Sequence, residues 1–254
     1  MEILKLEKVH YTYQSDEGET LAVEDLSFSV NEGEFVSIIG PSGSGKTTVL
    51  SLIAGLLKAT KGKIFINGKE NNTQLSSVGY MLQRDHLFSW RTIENNVFLP
   101  LEIKGINTLE NRNRCLELLK KYDLKDFIKS YPDRLSGGMR QRVAIIRTLA
   151  SNPNLLLLDE PFSALDYQTR LNVCDDVYSI IQREKKTTLL VTHDIAEAIS
   201  MSDRVIVLTK RPAKVLSIHT FNCDKNIPPL KRRELPTFGK NFETLWRELN
   251  YDGK

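Results

Sequence analysis

Phe35-Val-Ser-Ile-Ile39-Gly40-Pro-Ser-Gly-Ser-Gly45-Lys46-Thr47 runs from a short apolar stretch through a glycine-rich loop into an amphipathic helical pattern. The loop fits the spacing G-x-x-x-x-G-K-[ST] between a strand and a helix. Each residue type has a physical job. Glycines let successive backbone N–H groups curl around an anion. The following helix N-terminus points its positive dipole end at the same place. Lys46 adds a formal charge for the β- and γ-phosphates, and Thr47 a hydroxyl for Mg²⁺. Gly40, Pro41, Ser42, Gly43, Ser44, Gly45, Lys46, Thr47 and Thr48 are therefore the candidate phosphate-binding residues of a nucleotide site.

Outward from this loop, the pattern is one of strands and helices. Ile3 to Val9 and Leu26 to Val30 alternate apolar and polar residues, as half-buried strands do. Lys63 to Asn67 ends in Asn67-Gly68, a hairpin signal. Residues 92 to 131 are polar, with helical spacing at Cys115, Leu118, Leu119 and Tyr122, and Pro132 closes them. Three later apolar runs, Leu155–Leu158, Thr188–Val191 and Arg204–Leu208, are separated by helical patterns. Strands alternating with helices predict an α/β chain with a parallel sheet covered by helices. After Pro212 the pattern weakens, and an amphipathic piece bearing Phe242, Leu245, Trp246 and Leu249 follows.

Composition narrows the classes further. Of 254 residues, 41% are hydrophobic and 26% charged, an ordinary globular balance. The net charge is +3, with ten basic and five acidic residues after residue 209. Lys231-Arg232-Arg233 is too short a basic run to predict a nucleic-acid surface. Val49 to Leu57, the longest dense apolar stretch, is far below the roughly 20 residues that span a bilayer. The charged stretch Met1–Lys8 does not have the form of a signal peptide. Three scattered cysteines predict neither a disulfide framework nor a zinc site.

Two segments complete the chemistry. Leu155-Leu-Leu-Leu-Asp159-Glu160 is a buried-type strand ending in two carboxylates. Beside a phosphate loop, Asp159 suits the metal shell. Glu160, one residue on, suits a base that orients or deprotonates an attacking water. Leu135-Ser136-Gly137-Gly138-Met139-Arg140-Gln141-Arg142 starts a helix capped by Ser136, with two glycines at its N-terminus. That is a second anion-binding arrangement. One chain does not need two for one nucleotide, whereas two chains facing each other can each supply one.

In these motifs the chain resembles the ATP-binding subunit of an ABC transporter, over about residues 3 to 210. Gln83 in Gly79-Tyr-Met-Leu-Gln83 resembles the Q-loop glutamine, Ser163-Ala-Leu-Asp166 the D-loop, and His193 in Leu-Val-Thr-His193-Asp the switch histidine. Tyr13 resembles the aromatic that stacks on adenine, with Tyr11 a near competitor. The resemblance implies a P-loop NTPase (RecA-like) core, an antiparallel β subdomain and an inserted α-helical subdomain at about 85–153. The ATPase domain would cover 1–210 and a C-terminal tail 211–254.

The resemblance also implies a mechanism. Two copies would form a head-to-tail dimer around two ATP molecules. Lys46, Gln83, Glu160 and His193 would act in catalysis, and Thr47, Gln83 and Asp159 would hold Mg²⁺. Ser136, Gly137, Gly138 and Asp166 would act from the partner chain. Two transmembrane permease subunits would dock at residues 84–100, with Leu87, Phe88 and Trp90 as candidate contacts. An extracytoplasmic solute-binding protein would serve them. The expected location is the cytoplasmic face of the membrane, without nucleic acid. Met139-Arg-Gln-Arg and the Arg211-Pro-Ala-Lys segment resemble the importer group for nitrate, sulfonate and taurine. An exporter subunit and an ABC ATPase without a membrane partner are the alternatives.

Overall fold

The computed structural model describes residues 1–16, 18–71 and 77–251. Strand β1 (Glu2–Ser15) pairs antiparallel with β2 (Gly18–Asn31) and with β4 (Lys61–Ile66). The short β5 (Lys69–Glu70) closes a four-stranded sheet, in the order β2-β1-β4-β5. The β4–β5 connection is Asn67-Gly68, both at positive φ (52° and 71°), which the two-residue turn demands. β1 and β2 run well beyond the alternating stretches that signal them. Their outer ends are largely exposed and carry no apolar periodicity, so pairing with each other sustains them.

The second sheet is six-stranded among the described residues, in the order β10-β9-β3-β8-β7-β6. β6 (Val78–Met81), β7 (Leu155–Asp159), β8 (Thr187–Val191), β3 (Phe35–Ile39) and β9 (Arg204–Leu208) are mutually parallel. β3, β7 and β8 are buried throughout, as strands covered on both faces must be. Alternate residues serve the two cores. Leu156, Leu158 and Leu190 face one cluster, while Leu155, Leu157, Leu189 and Val191 face the other. The first cluster joins the sheet to α2 (Ile93–Ile103), α3 (Leu109–Lys121), α4 (Gly137–Leu149) and α5 (Tyr167–Arg183). The second packs α1 (Lys46–Ile53) and the antiparallel sheet against the opposite face.

The last quarter of the chain joins this body. β10 (Val215–Thr220) adds antiparallel to β9, with strictly alternating burial. α6 (Ile195–Met201) and α8 (Pro236–Tyr251) form a third apolar cluster with β9, in which Leu245 is fully buried. The short α7 (Pro229–Arg232) buries Arg232. Its guanidinium caps the Tyr178 ring and donates to the carbonyls of Ser200 (3.2 Å) and Ile227 (2.8 Å). No helix among the described residues is long and apolar enough to cross a membrane.

Candidate nucleotide site

Ligand sites in such sheets form beyond the carboxyl ends of the strands. Here β3, β7, β8 and β6 deliver, respectively, the loop at 40–47, Asp159-Glu160, Thr192-His193 and the segment reaching Gln83. An open pocket of about 540 Å³ is lined by Ser42, Gly43, Gly45, Lys46, Thr47, Thr48, Glu160 and His193. Gly43 and Gly45 have φ of 75° and 99°, a region that favours glycine. A Cβ at Gly45 would also stand 3.1 Å from the Ala22 carbonyl oxygen. The loop is therefore shaped by residues with no side chain to place.

Lys46 closes the loop on itself. Its Nζ donates to the carbonyl oxygens of Gly40 (2.8 Å) and Pro41 (3.0 Å). Burial lowers its pKa, against the pull of the carboxylates Glu160 and Asp159. The buried Ser44 Oγ has no hydrogen-bond partner, an open polar valence inside the loop. Thr47 Oγ1 donates to Asp159 Oδ1 at 3.4 Å, and the Tyr80 hydroxyl to Oδ2 at 3.3 Å. Burial raises the pKa of Asp159, and burial with the nearby Asp159 pushes the Tyr80 phenol up to about 12. A cation placed between Thr47 and Asp159 would relieve that desolvated carboxylate. Among the described residues no cluster of three His, Cys, Asp or Glu could hold a metal alone. A hydroxyl and one carboxylate fit a hard cation that takes its remaining oxygens from phosphate.

Glu160 has φ 43°, outside the region a glutamate ordinarily occupies, at a cost of about 1–2 kcal/mol. Its N–H donates to the Val191 carbonyl at 2.8 Å. This turn aims the carboxylate into the pocket. His193 Nδ1 stands 3.0 Å from Glu160 Oε2, and Gln83 Nε2 donates to the same oxygen at 3.4 Å and to Ser163 Oγ at 3.4 Å. Tyr13 is 42% exposed, and its hydroxyl lies 3.0 Å from Thr48 Oγ1, beside the loop. Tyr11 packs against the core and meets the Tyr13 ring edge-on at 4.8 Å. Of the two, Tyr13 presents the more exposed ring.

Ser136, Gly137 and Gly138 lie apart from this pocket, none of them among its lining residues. Ser136 caps α4, its Oγ accepting from Met139 N at 3.3 Å. The glycines fit against α5 and the turn before it. Cβ atoms there would meet Leu165 Cδ2 at 3.1 Å and Val173 Cγ2 at 2.8 Å. Asp166 caps α5 by accepting from Thr169 N at 3.0 Å, and hydrogen bonding from the Thr169 side chain and then its backbone lowers its pKa. Sequence reading missed Tyr80, Thr192, Arg170 and Glu197, none of which falls on a recognisable phosphate-site spacing. It also missed what anchors residues 84–92. Asn96, fully buried, accepts from Phe88 N (2.7 Å) and donates to the carbonyls of Phe88 and Arg91 (both 3.0 Å). Arg140 and Arg147 of α4 hold Asp85 through its carboxylate and carbonyl, and Arg147 also holds the His86 carbonyl.

A glycine-rich loop between a strand and a helix, with a carboxylate, glutamine and histidine gathered at its mouth, is the architecture of a P-loop ATPase. Comparison with known proteins gives the family. Residues 23–163 match the family model described as ABC transporter. An uncharacterized ABC transporter ATP-binding protein, YtlC of Bacillus subtilis, is 47% identical over 98% of this chain and 96% of its own. The aliphatic sulfonates import ATP-binding protein SsuB of Bacillus cereus is 34% identical over 98% and 97%. The formylaminopyrimidine import ATP-binding protein ThiZ of Halalkalibacterium halodurans is 40% identical over 94% and 90%. The dimeric post-hydrolysis structure of the ATP-binding cassette MJ0796, bound to ADP and Pi, superposes with TM-score 0.73 at 36% identity, covering 87% of this chain and all of that one. The chain belongs to the ABC transporter ATP-binding family, and its fold is the family's α/β ATPase cassette.

Proposed function

We propose that this ATPase energises an importer for a small solute, of the sulfonate, nitrate or taurine kind, as a homodimer. The carrying observation is the separation of two half-sites. Lys46, Thr47, Asp159, Glu160, Gln83 and His193 gather at one pocket, while Ser136–Gly138 form a helix N-terminus that does not line it. A second copy turned head to tail would set its Ser136, Gly137, Gly138 and Asp166 over the first copy's phosphates. The dimeric cassette structure of a similar protein, bound to ADP and Pi, supports a dimer. Tyr13 would stack on the base.

In that dimer Lys46 and the loop N–H groups neutralise the β- and γ-phosphates. Thr47, Asp159 and Gln83 would hold Mg²⁺, which supplies charge neutralisation at the phosphates when bound. Glu160 orients and takes a proton from the attacking water, with His193 and Gln83 fixing its carboxylate. ATP favours the closed dimer only through contacts that hydrolysis removes. Residues 84–100, tied to Gln83 by chain and to α4 by Arg140 and Arg147, would carry that closure to two permease subunits. Trp90, 73% exposed and 4.8 Å from the Phe88 ring, stands there as an apolar contact. The chain would sit on the cytoplasmic face of the membrane, and an extracytoplasmic binding protein would choose the solute. The import names of SsuB and ThiZ support the direction of transport.

Purification of the tagged chain from mild-detergent membranes tests this reading. A stoichiometric polytopic membrane protein is expected, with a co-purifying binding protein that binds a sulfonate, taurine or nitrate from a defined panel. Recovery with ribosomal proteins or DNA and no membrane protein would overturn it.

A further inference from the structure

The segments bearing Asp166 and His193 leave the sheet from different strands, β7 and β8, yet one side chain spans them. Arg170 lies in the first turn of α5, four residues after the Asp166 cap. It donates from Nη2 to the Leu165 carbonyl at 3.0 Å. On its other side Nη1 stands 3.6 Å from Asp194 Oδ2, and Nε 3.9 Å from Glu197 Oε1. Both carboxylates lie on the segment that follows His193 into α6. Asp194 caps α6, with Oδ1 accepting from Ala196 N (2.8 Å) and Glu197 N (3.1 Å), which leaves Oδ2 for Arg170. Glu197 Oε2 accepts from the buried Thr192 hydroxyl at 2.7 Å, and Thr192 Oγ1 in turn accepts from Asp194 N at 3.0 Å. Both neighbours of His193 therefore belong to one polar cluster that ends on Arg170.

His193 itself is 60% exposed in its side chain. Little packing holds the imidazole, so its place is set by the Glu160 contact and by the backbone of Thr192 and Asp194. Arg170 Nε is a buried donor without a hydrogen-bond partner. Closing its gap to Glu197 to hydrogen-bond length needs a shift of only about 1 Å, and a buried unmade bond favours that shift. We propose that Arg170 is a positioning residue that couples the Leu165–Asp166 turn to the loop carrying His193. Movement of that turn is then passed to the imidazole beside Glu160. This rests on the reading above, in which Asp166 meets the partner chain and His193 serves hydrolysis. Dimer closure thereby reaches the histidine from within the same subunit.

The test uses the purified full chain at high protein concentration, with steady-state ATPase kinetics and the imidazole NMR resonances of its four histidines. The His193 resonance is assigned by its loss in His193→Ala. Arg170→Ala is expected to lower kcat at least tenfold while KM for ATP stays within twofold. Arg170→Lys, which keeps a charge in place, is expected to recover turnover to within threefold of the parent. The His193 resonance should move in Arg170→Ala while those of His10 and His219 stay. An unmoved His193 resonance, or a KM that rises as kcat falls, would overturn the coupling and leave Arg170 a packing residue. If Arg170→Ala does not fold, the Arg170→Lys resonance shift and its KM decide. Full turnover in His193→Ala would overturn both this coupling and the role of His193, whereas loss of turnover there with an unmoved resonance in the Arg170 variants defeats the coupling alone.

Discussion

Glu160 and His193 share one short contact, Oε2 to Nδ1 at 3.0 Å, made possible by the left-handed turn at Glu160. Gln83 reaches the same oxygen from a third strand end. Two residues from separate elements thus hold the carboxylate of a third at the mouth of the glycine-rich loop. Glu160→Gln keeps the shape and removes the carboxylate proposed as the base. Hydrolysis should fall at least about 100-fold, the scale of a general base. ATP affinity should stay within about threefold, and an ATP-dependent dimer should accumulate in gel filtration at high protein concentration. A variant that hydrolyses at the parent rate would remove Glu160 from the chemistry.

Lys46 is a different case. Its Nζ is hydrogen-bonded to loop carbonyls and its pKa is lowered by burial, so on the proposed reading a bound phosphate would supply the anionic hydrogen-bond partner it lacks. A charged hydrogen bond is worth about 1.5–3 kcal/mol, so Lys46→Ala should weaken ATP binding about 10- to 100-fold and abolish measurable turnover. Calorimetric titration with ATP checks the first, and a phosphate-release assay the second. The melting temperature should change little, because the loss of two carbonyl bonds is offset by no longer burying a charge.

Gly79 and Gly62 are set by sterics of two kinds. At Gly79 a Cβ would meet Thr148 Cγ2 at 2.8 Å and Pro153 Cγ at 2.9 Å, between β6 and α4. At Gly62 it would meet the Lys8 carbonyl oxygen at 2.2 Å, at φ 82°. Overpacking typically costs about 1–3 kcal/mol, so Gly79→Ala should lower unfolding free energy by that much. Gly62→Ala meets backbone that cannot step aside, and positive φ adds its own penalty. Its loss in urea denaturation should be the larger of the two.

Much of this architecture is legible in the sequence, for identifiable reasons. The phosphate loop needs fixed residue types at fixed spacing, so Gly40–Thr47 declares itself. β3, β7 and β8 are buried on both faces and read as short apolar runs. What stays hidden depends on three-dimensional neighbours. Nothing local marks Tyr80 as the partner of Asp159, since the two meet only through the β6–β7 register. β10 alternates half-buried with exposed residues and is held by pairing with β9. Asn96 and Glu197 are polar residues whose burial no spacing announces.

Leu245 anchors the amphipathic α8 in the cluster of Ile195, Ala198, Ile199, Val205 and Val207. α6 in that cluster begins two residues after His193. Leu245→Ala removes a fully buried side chain, which costs about 2–5 kcal/mol where the site cannot collapse. Because α8 lies at the margin of the body, the loss should appear first as faster amide exchange in α8 and β10. Uniform acceleration across β3, β7 and β8 would contradict that local reading.

Glu197 supplies a pH dependence whose sign follows from its burial. Burial pushes its carboxyl from 4.5 up to about 7, against the Thr192 hydroxyl bond and Arg170, which favour the ionised form. Its folded value lies above its unfolded one, so it favours the native state fully below about pH 4.5. That contribution is lost as pH climbs towards 7, where the native chain must ionise a carboxyl the unfolded chain ionised earlier. Glu197→Gln keeps an acceptor for Thr192 and removes the titration. The variant's stability relative to the parent should therefore rise between pH 4.5 and 7 and level off above, by up to about 3 kcal/mol at 1.36 kcal/mol per unit. Urea unfolding of both proteins at pH 5, 6, 7 and 8 measures that difference directly. A difference independent of pH would mean that Glu197 is ionised in the native state throughout, held by Arg170 rather than neutralised by burial.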